Sequence, residues 1–405
     1  MSIEPLNRRH VLVHGPGVLL VTACFVVKVR AAAVDFRPAM NFGVFHNGNI
    51  SVIGAGQGDE VTTLAFDLVW DRQTPTSAFA LTYSPSVVVY RQSDGLDYFA
   101  NTLVVDFTRH LSEASQVKVA AYFARTDYQG QTADTADRAT TFVPRSTQTL
   151  ATVSADGTVP AGRRGFVDWQ LRVGVDLYED VPDDPATTAP DQIDFNNDTF
   201  VAGAIAWRRK LSVRNTLGLG FRAAHFGYES TPTVVGGTFG MVGDSQLGRS
   251  WKLAYAVGAS RASSDGDSTD GFSFDIRIGY QAGEASTFSV GARQGYSPGR
   301  GFGGATQDLG AWISYGRSSI ARGITGSVVA GYWQRNALQL ASTSTSGDTE
   351  TFNVRGSIGW AFNRYVALDG AYMYVYQLGT NGAASALDTN YSSYGLYLRW
   401  AIRGR

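Results

Sequence analysis

Phe352-Asn353-Val354-Arg355-Gly356-Ser357-Ile358-Gly359-Trp360-Ala361-Phe362 alternates apolar and polar positions, and the chain repeats the pattern almost at once. Phe352, Val354, Ile358, Trp360 and Phe362 share one parity, whereas Asn353, Arg355 and Ser357 share the other. Only Asn363, Arg364 and Tyr365 separate this run from Val366, Leu368, Gly370, Tyr372, Tyr374, Tyr376 and Leu378, spaced in the same way. A polar loop, Gly379 to Asn390, then leads to Tyr394, Leu396, Leu398, Trp400 and Ile402. A period of two puts successive side chains on opposite faces of a strand. Strands this long, joined by short turns on one side and long loops on the other, have the rhythm of a transmembrane β-barrel.

Working outward, the same rhythm runs through the chain. Leu64, Phe66, Leu68 and Trp70 alternate with Ala65, Asp67 and Val69, and Val167, Trp169, Leu171, Val173, Val175 and Leu177 alternate with Asp168, Gln170, Arg172 and Asp176. The pattern predicts an all-β, antiparallel, up-and-down transmembrane barrel of ~18 strands, with 16 as the alternative count. The segments near 36–46, broken by Pro38, and 143–155, rich in Thr and Ser, are its poorest strands. Pro85 predicts a bulge in the strand 78–92, because proline removes a ladder hydrogen bond. The connection 263–270 is expected to be a long loop, and 156–164 breaks the length rule. Trp70, Trp169, Trp360 and Trp400 have the parity and the strand-end positions of lipid-facing belt residues.

Composition agrees with a membrane wall. Charged residues make up 17% of the chain, against roughly 25% in soluble domains. A formal charge of −1 provides no electrostatic footprint for nucleic acid. Arg8 and Arg9, the apolar run Gly17 to Val27 and the small residues Ala31-Ala32-Ala33 have the anatomy of an export signal. The expected domains are therefore a signal peptide, 1–33, and the barrel, 34–405. Val21-Thr22-Ala23-Cys24 keeps a lipoprotein reading open, as Arg8-Arg9 does a twin-arginine one.

No catalytic constellation is legible. His46, His110 and His225 are widely separated, and no metalloprotease, nucleophile-elbow or phosphate-loop motif occurs. No enzyme activity, cofactor or metal is expected, although the acidic loop Glu179 to Asp194 leaves a calcium site open. The polar parity is more informative. It carries Asp67, Asp106, Lys118, Asp168, Arg172, Asp176, Asp275, Arg277, Arg355, Asp369 and Arg399. Charges at mid-strand are costly toward lipid and ordinary toward a watery interior, so these are the candidate lumen residues.

Phe36-Arg37-Pro38, His46-Asn47-Gly48-Asn49, the glycine-rich gap after them, Phe79 to Tyr83-Ser84-Pro85, and Tyr90 before Asp97-Tyr98 carry a likeness. At motif level residues 34–130 resemble the outer-membrane β-barrel proteins encoded with bacterial exopolysaccharide export systems. That resemblance implies a pore in the outer membrane through which a polysaccharide leaves without chemistry, served by a separate periplasmic polysaccharide export protein. The other partners expected are outer-membrane lipid and the barrel assembly machinery. A general or substrate-specific porin for small polar solutes is the alternative.

Overall fold

The structure is a computed structural model and describes residues 35–48, 58–93, 96–128, 146–179, 197–229, 232–298, 305–338, 348–379 and 388–401. The expected signal peptide with its cleavage site, and the acidic loop with its calcium question, lie outside the described residues.

The strands in chain order are β1 (Asp35–Asn47), β2 (Asp59–Gln73), β3 (Ser77–Tyr90), β4 (Tyr98–Ser112), β5 (Ser115–Tyr128), β6 (Ser146–Pro160) and β7 (Gly165–Glu179). Next come β8 (Asp198–Lys210), β9 (Asn215–Tyr228), β10 (Val234–Gln246), β11 (Trp251–Ser264), β12 (Asp267–Ala282) and β13 (Ser286–Pro298). The last are β14 (Ala305–Ala321), β15 (Ile324–Ala337), β16 (Thr349–Ala361), β17 (Val366–Gly379) and β18 (Thr389–Ala401). They form one 18-stranded antiparallel sheet in which each strand pairs with its neighbours in sequence. β1 pairs with both β2 and β18, so the sheet closes. Closure leaves no open edge, the condition for a sheet to stand in hydrocarbon.

The eight connections at the end where β1 begins and β18 finishes, from Gln73 to Ser77 and so on to Ala361 to Val366, are all short. By the rule of short periplasmic turns and longer surface loops, that end faces the periplasm. Three local expectations are corrected. Pro85 makes no bulge, because Ala65 pairs with Ser86 and Leu68 with Tyr83 in one unshifted register. The sixth strand begins and ends later than its composition suggested, so the turn after Pro160 is short and keeps the length rule. The 263–270 segment is not a long loop. β11 and β12 run on to a two-residue tip, Asp265 and Gly266, with φ of 46° and 92°. Positive φ at both central residues is the tight hairpin turn that matches strand twist.

The two faces separate sharply. Exposed Phe42, Phe66, Leu171, Ile205, Phe239, Ile358, Leu396 and Trp400 all fall on the outward parity, and the register keeps that parity in line from strand to strand. The seam between first and last strands has a reciprocal fit. Tyr397 lies opposite Gly43, and Phe45 lies opposite Gly395. A Cβ on Gly43 would come within 2.5 Å of the Tyr397 ring, and one on Gly395 within 2.2 Å of Phe45 Cβ. Each glycine thus leaves the space its aromatic partner fills, and the two rings stack with centroids 6.3 Å apart.

Candidate functional site

Alternation fixes which side chains look inward. Leu171 and Val173 face lipid, so Arg172 between them faces the interior opposite Ser154 and Ala202. By the same register Asp67, Asp106, Lys118, Asp168, Asp176, Asp275, Arg277, Arg355, Asp369 and Arg399 lie on the inner face. They do not converge on one point but occupy three levels.

Near the short turns, Asp168 accepts from Thr158 (2.7 Å) and from Arg208 Nε (2.6 Å), and Arg208 also reaches Asp244 two strands away at 3.0 Å. Arg399 lies 3.9 Å from Asp369. Lys118 pairs in register with Asp156. A recess of about 550 Å³ opens at this end, lined by Arg37, Asp67, Arg364, Tyr365 and Arg399 among others.

At mid-barrel the wall is divided by charge. On β2 Asp67 accepts from Asn41 (2.5 Å) and Ser84 (2.6 Å), and on β4 Asp106 sits between Ala80 and Ala120 in register. From β7 round to β16 the charged inner positions near strand centres are Arg172, Arg222, Asp275, Arg277, Arg293 and Arg355, five cations to one carboxylate. Arg277 forms a two-point contact with Asp275 (3.0 and 3.1 Å). Arg222 lies within the electrostatic reach of Arg293, Asp275 and Arg277, and Arg293 acts on Asp308 as well.

Indole stacking orients part of this wall. Trp312 and Trp333 are stacked, with centroids 6.0 Å apart and planes 7° from parallel. Arg277 lies over Trp312 at 5.5 Å and Arg293 over Trp333 at 5.7 Å. A guanidinium over an indole face is attracted by the ring quadrupole. The indoles lie flat because Gly291 and Gly310 beneath them have no side chain: a Cβ there would meet the rings at 2.2 and 2.1 Å.

Toward the surface loops the inner wall becomes tightly packed. Val61, Val375, Tyr391 and Gln377 have no exposed surface. Asp176 accepts from Gln148 at 2.5 Å and from the Tyr178 hydroxyl at 3.1 Å. Asp308 binds Arg335 (3.0 Å), Ser297 (2.6 Å) and Thr306 (3.0 Å). Between Phe274↔Gln294 and the strand tops, β13 no longer pairs with β12. Tyr296 there approaches Gly236 of β10 and Gly271 of β12 and packs with Phe226, Val234, Ala262 and Ala305. The upper part of the β13–β14 hairpin therefore leans inward.

Arg222, Arg293, Arg208, Asp244, Asp308 and Arg335 were missed in the sequence, although Phe221 next to Arg222 and Val290 three residues before Arg293 signalled their parity. Trp312 and Trp333 gave no such signal, since Leu309 and Ile313 make both faces of that strand read as apolar. Among the described residues no group of three or more His, Cys, Asp or Glu side chains could hold a metal ion.

A closed antiparallel sheet with an apolar outside and a charged inside defines an outer-membrane β-barrel, the class to which this chain belongs. No protein-family model matches the chain, and no curated protein matches it. Among solved structures it is similar to OpdQ of Pseudomonas aeruginosa, at 14% identity and a TM-score of 0.43, over 91% of this chain and 99% of that one. It is similar to OccAB2 of Acinetobacter baumannii, at 8% identity and a TM-score of 0.47, over 92% and 98% of the two chains. It is also similar to the FrpB iron transporter of Neisseria meningitidis, at 10% identity and a TM-score of 0.48, over 85% of this chain and 62% of that one. Likeness at this level assigns the chain to no family.

Proposed function

We propose that the protein is a passive outer-membrane channel for small polar solutes, with a preference for anions, and that it performs no chemistry on them. The observation that supports this reading is the placing of Arg222 inward beside Arg277 and Arg293, with Asp275 and Asp308 among the neighbouring carboxylates. Such a cluster lowers the energy of an anion on a watery path and raises that of a cation. Asp67 and Asp106 on the facing strands give the path a second polarity, which orients solutes that carry both charge and hydroxyls. Lipid surrounds the barrel, and the barrel assembly machinery is the expected route of its insertion.

The polysaccharide-export expectation has the resemblance alone behind it. Tight packing of Val61, Val375, Gln377 and Tyr391 at the surface-loop end suits small solutes better than a continuous polymer. Reconstitution in a planar bilayer tests the proposal: a stable conductance with anion-favouring reversal potentials is expected. An absence of conductance would overturn it. So would a deletion strain that loses surface polysaccharide while small-solute uptake stays normal, which would return the assignment to export.

A further inference from the structure

Three strands that descend to the periplasmic turns carry the same outward pair near their lower ends: Phe107-Thr108-Arg109 on β4, Trp207-Arg208-Arg209 on β8 and Tyr315-Gly316-Arg317 on β14. In each, the aromatic and the final arginine share the lipid-facing parity, because they are two residues apart. Trp207 and Tyr315 are open to the surroundings, as are Arg109, Arg209 and Arg317. Two residues of strand advance about 6.6 Å. The guanidinium groups therefore lie just past the aromatic belt, at the depth of lipid headgroups.

The opposite rim treats outward arginines differently. Arg91 pairs with Glu60 at 2.5 Å, Arg125 with Glu179 at 2.8 Å and Arg261 with Asp270 at 3.7 Å. Among the described residues no carboxylate pairs with Arg109, Arg209 or Arg317; Arg317 donates only to the backbone oxygen of Ser319 at 3.0 Å. The protein supplies counter-charge to its outward cations at one membrane face and leaves it to the surroundings at the other. A planar guanidinium matches two oxygens of a phosphodiester and keeps its charge at any physiological pH.

We propose that Arg109, Arg209 and Arg317 form an outer girdle that binds the phosphodiester headgroups of anionic phospholipids in the periplasmic leaflet. Each aromatic lies against the acyl chains and glycerol region while the arginine two residues on holds the phosphate. The girdle fixes the height of the barrel in the membrane and is separate from the inner charges.

Native mass spectrometry of the full-length barrel in neutral detergent tests this, with phosphatidylglycerol and phosphatidylcholine added in turn. The wild type is expected to retain phosphatidylglycerol in preference. The Arg109→Gln/Arg209→Gln/Arg317→Gln variant should lose that preference while keeping heat-modifiable migration, and Arg261→Gln should keep it. If the triple variant does not assemble, Arg209→Gln and Arg317→Gln singly should each reduce retention. Unchanged retention in these variants, equal loss in Arg261→Gln, or displacement of the lipid by the same concentration of inorganic phosphate would overturn the proposal.

Discussion

Arg335 and Asp308 form an ion pair 3.0 Å apart whose side chains are 6% and 4% exposed, enclosed by β13 to β15. Taking either charge away leaves the other buried without its ion-pair partner. Asp308→Asn or Arg335→Met should each destabilise the barrel by about 3–5 kcal/mol. Replacing both with apolar residues of like volume should recover most of the loss, because the pair's desolvation is then avoided too. Urea unfolding in lipid vesicles, followed by tryptophan fluorescence, measures the cycle.

The inner arginines should govern ion preference rather than assembly. Arg222→Glu and Arg293→Glu reverse charge within a single cluster. Reversal potentials in asymmetric salt should move toward cation preference in each variant, with heat-modifiable migration unchanged. Equal reversal potentials in wild type and both variants would separate the cluster from the conduction path.

Charge on the lipid face should behave oppositely. Leu396 stands outward at the centre of β18 and is 59% exposed. Leu396→Arg should cost about 2–4 kcal/mol, the range for a cation near the bilayer midplane. Ala371 is inward in β17 and lies opposite Gly395 of the same neighbouring strand. Ala371→Lys should leave folding yield unchanged in the same assay.

Space under the indoles is a third determinant. A Cβ on Gly291 would lie 2.2 Å from Trp312, so Gly291→Ala must displace that ring and with it the support of Arg277. Overpacking of this kind costs about 1–3 kcal/mol. A shifted tryptophan emission maximum together with reduced anion preference is the expected signature.

Parity made much of the architecture legible. Phe352 to Ile402 announced three strands of the closing wall because lipid demands an apolar residue at every second position. The same demand exposed Arg172, Arg277 and Arg355, whose neighbours are unmistakably lipid-facing. The interior imposes no such demand, and there the reading faltered. Trp312 and Trp333 face inward although they are as apolar as any belt residue, because stacking and two underlying glycines give them a dry place inside. Asp308 and Arg335 meet only through pairing of β14 with β15 and the inward lean of β13, which no local pattern encodes. The tip at Asp265 and Gly266 looked like a loop because Ser263, Ser264, Ser268 and Thr269 are polar, yet a strand that rises beyond the membrane is free to be polar on both faces.

Gly43, Phe45, Gly395 and Tyr397 also bear on how the molecule is made. The first strand emerges from the ribosome long before its second neighbour exists, and it cannot finish pairing until the last strand arrives. The interlocking of ring and glycine at that junction favours one register of closure over its neighbours. A closure displaced by two residues one way would set Phe45 against Tyr397 and crowd the seam, and one displaced by two residues the other way would set Gly43 against Gly395 and leave a gap. Misaligned rings would reopen, and correctly matched ones would stay shut. Exchanging Gly395 for a bulky residue should therefore delay completion of the cylinder more than it weakens the finished one.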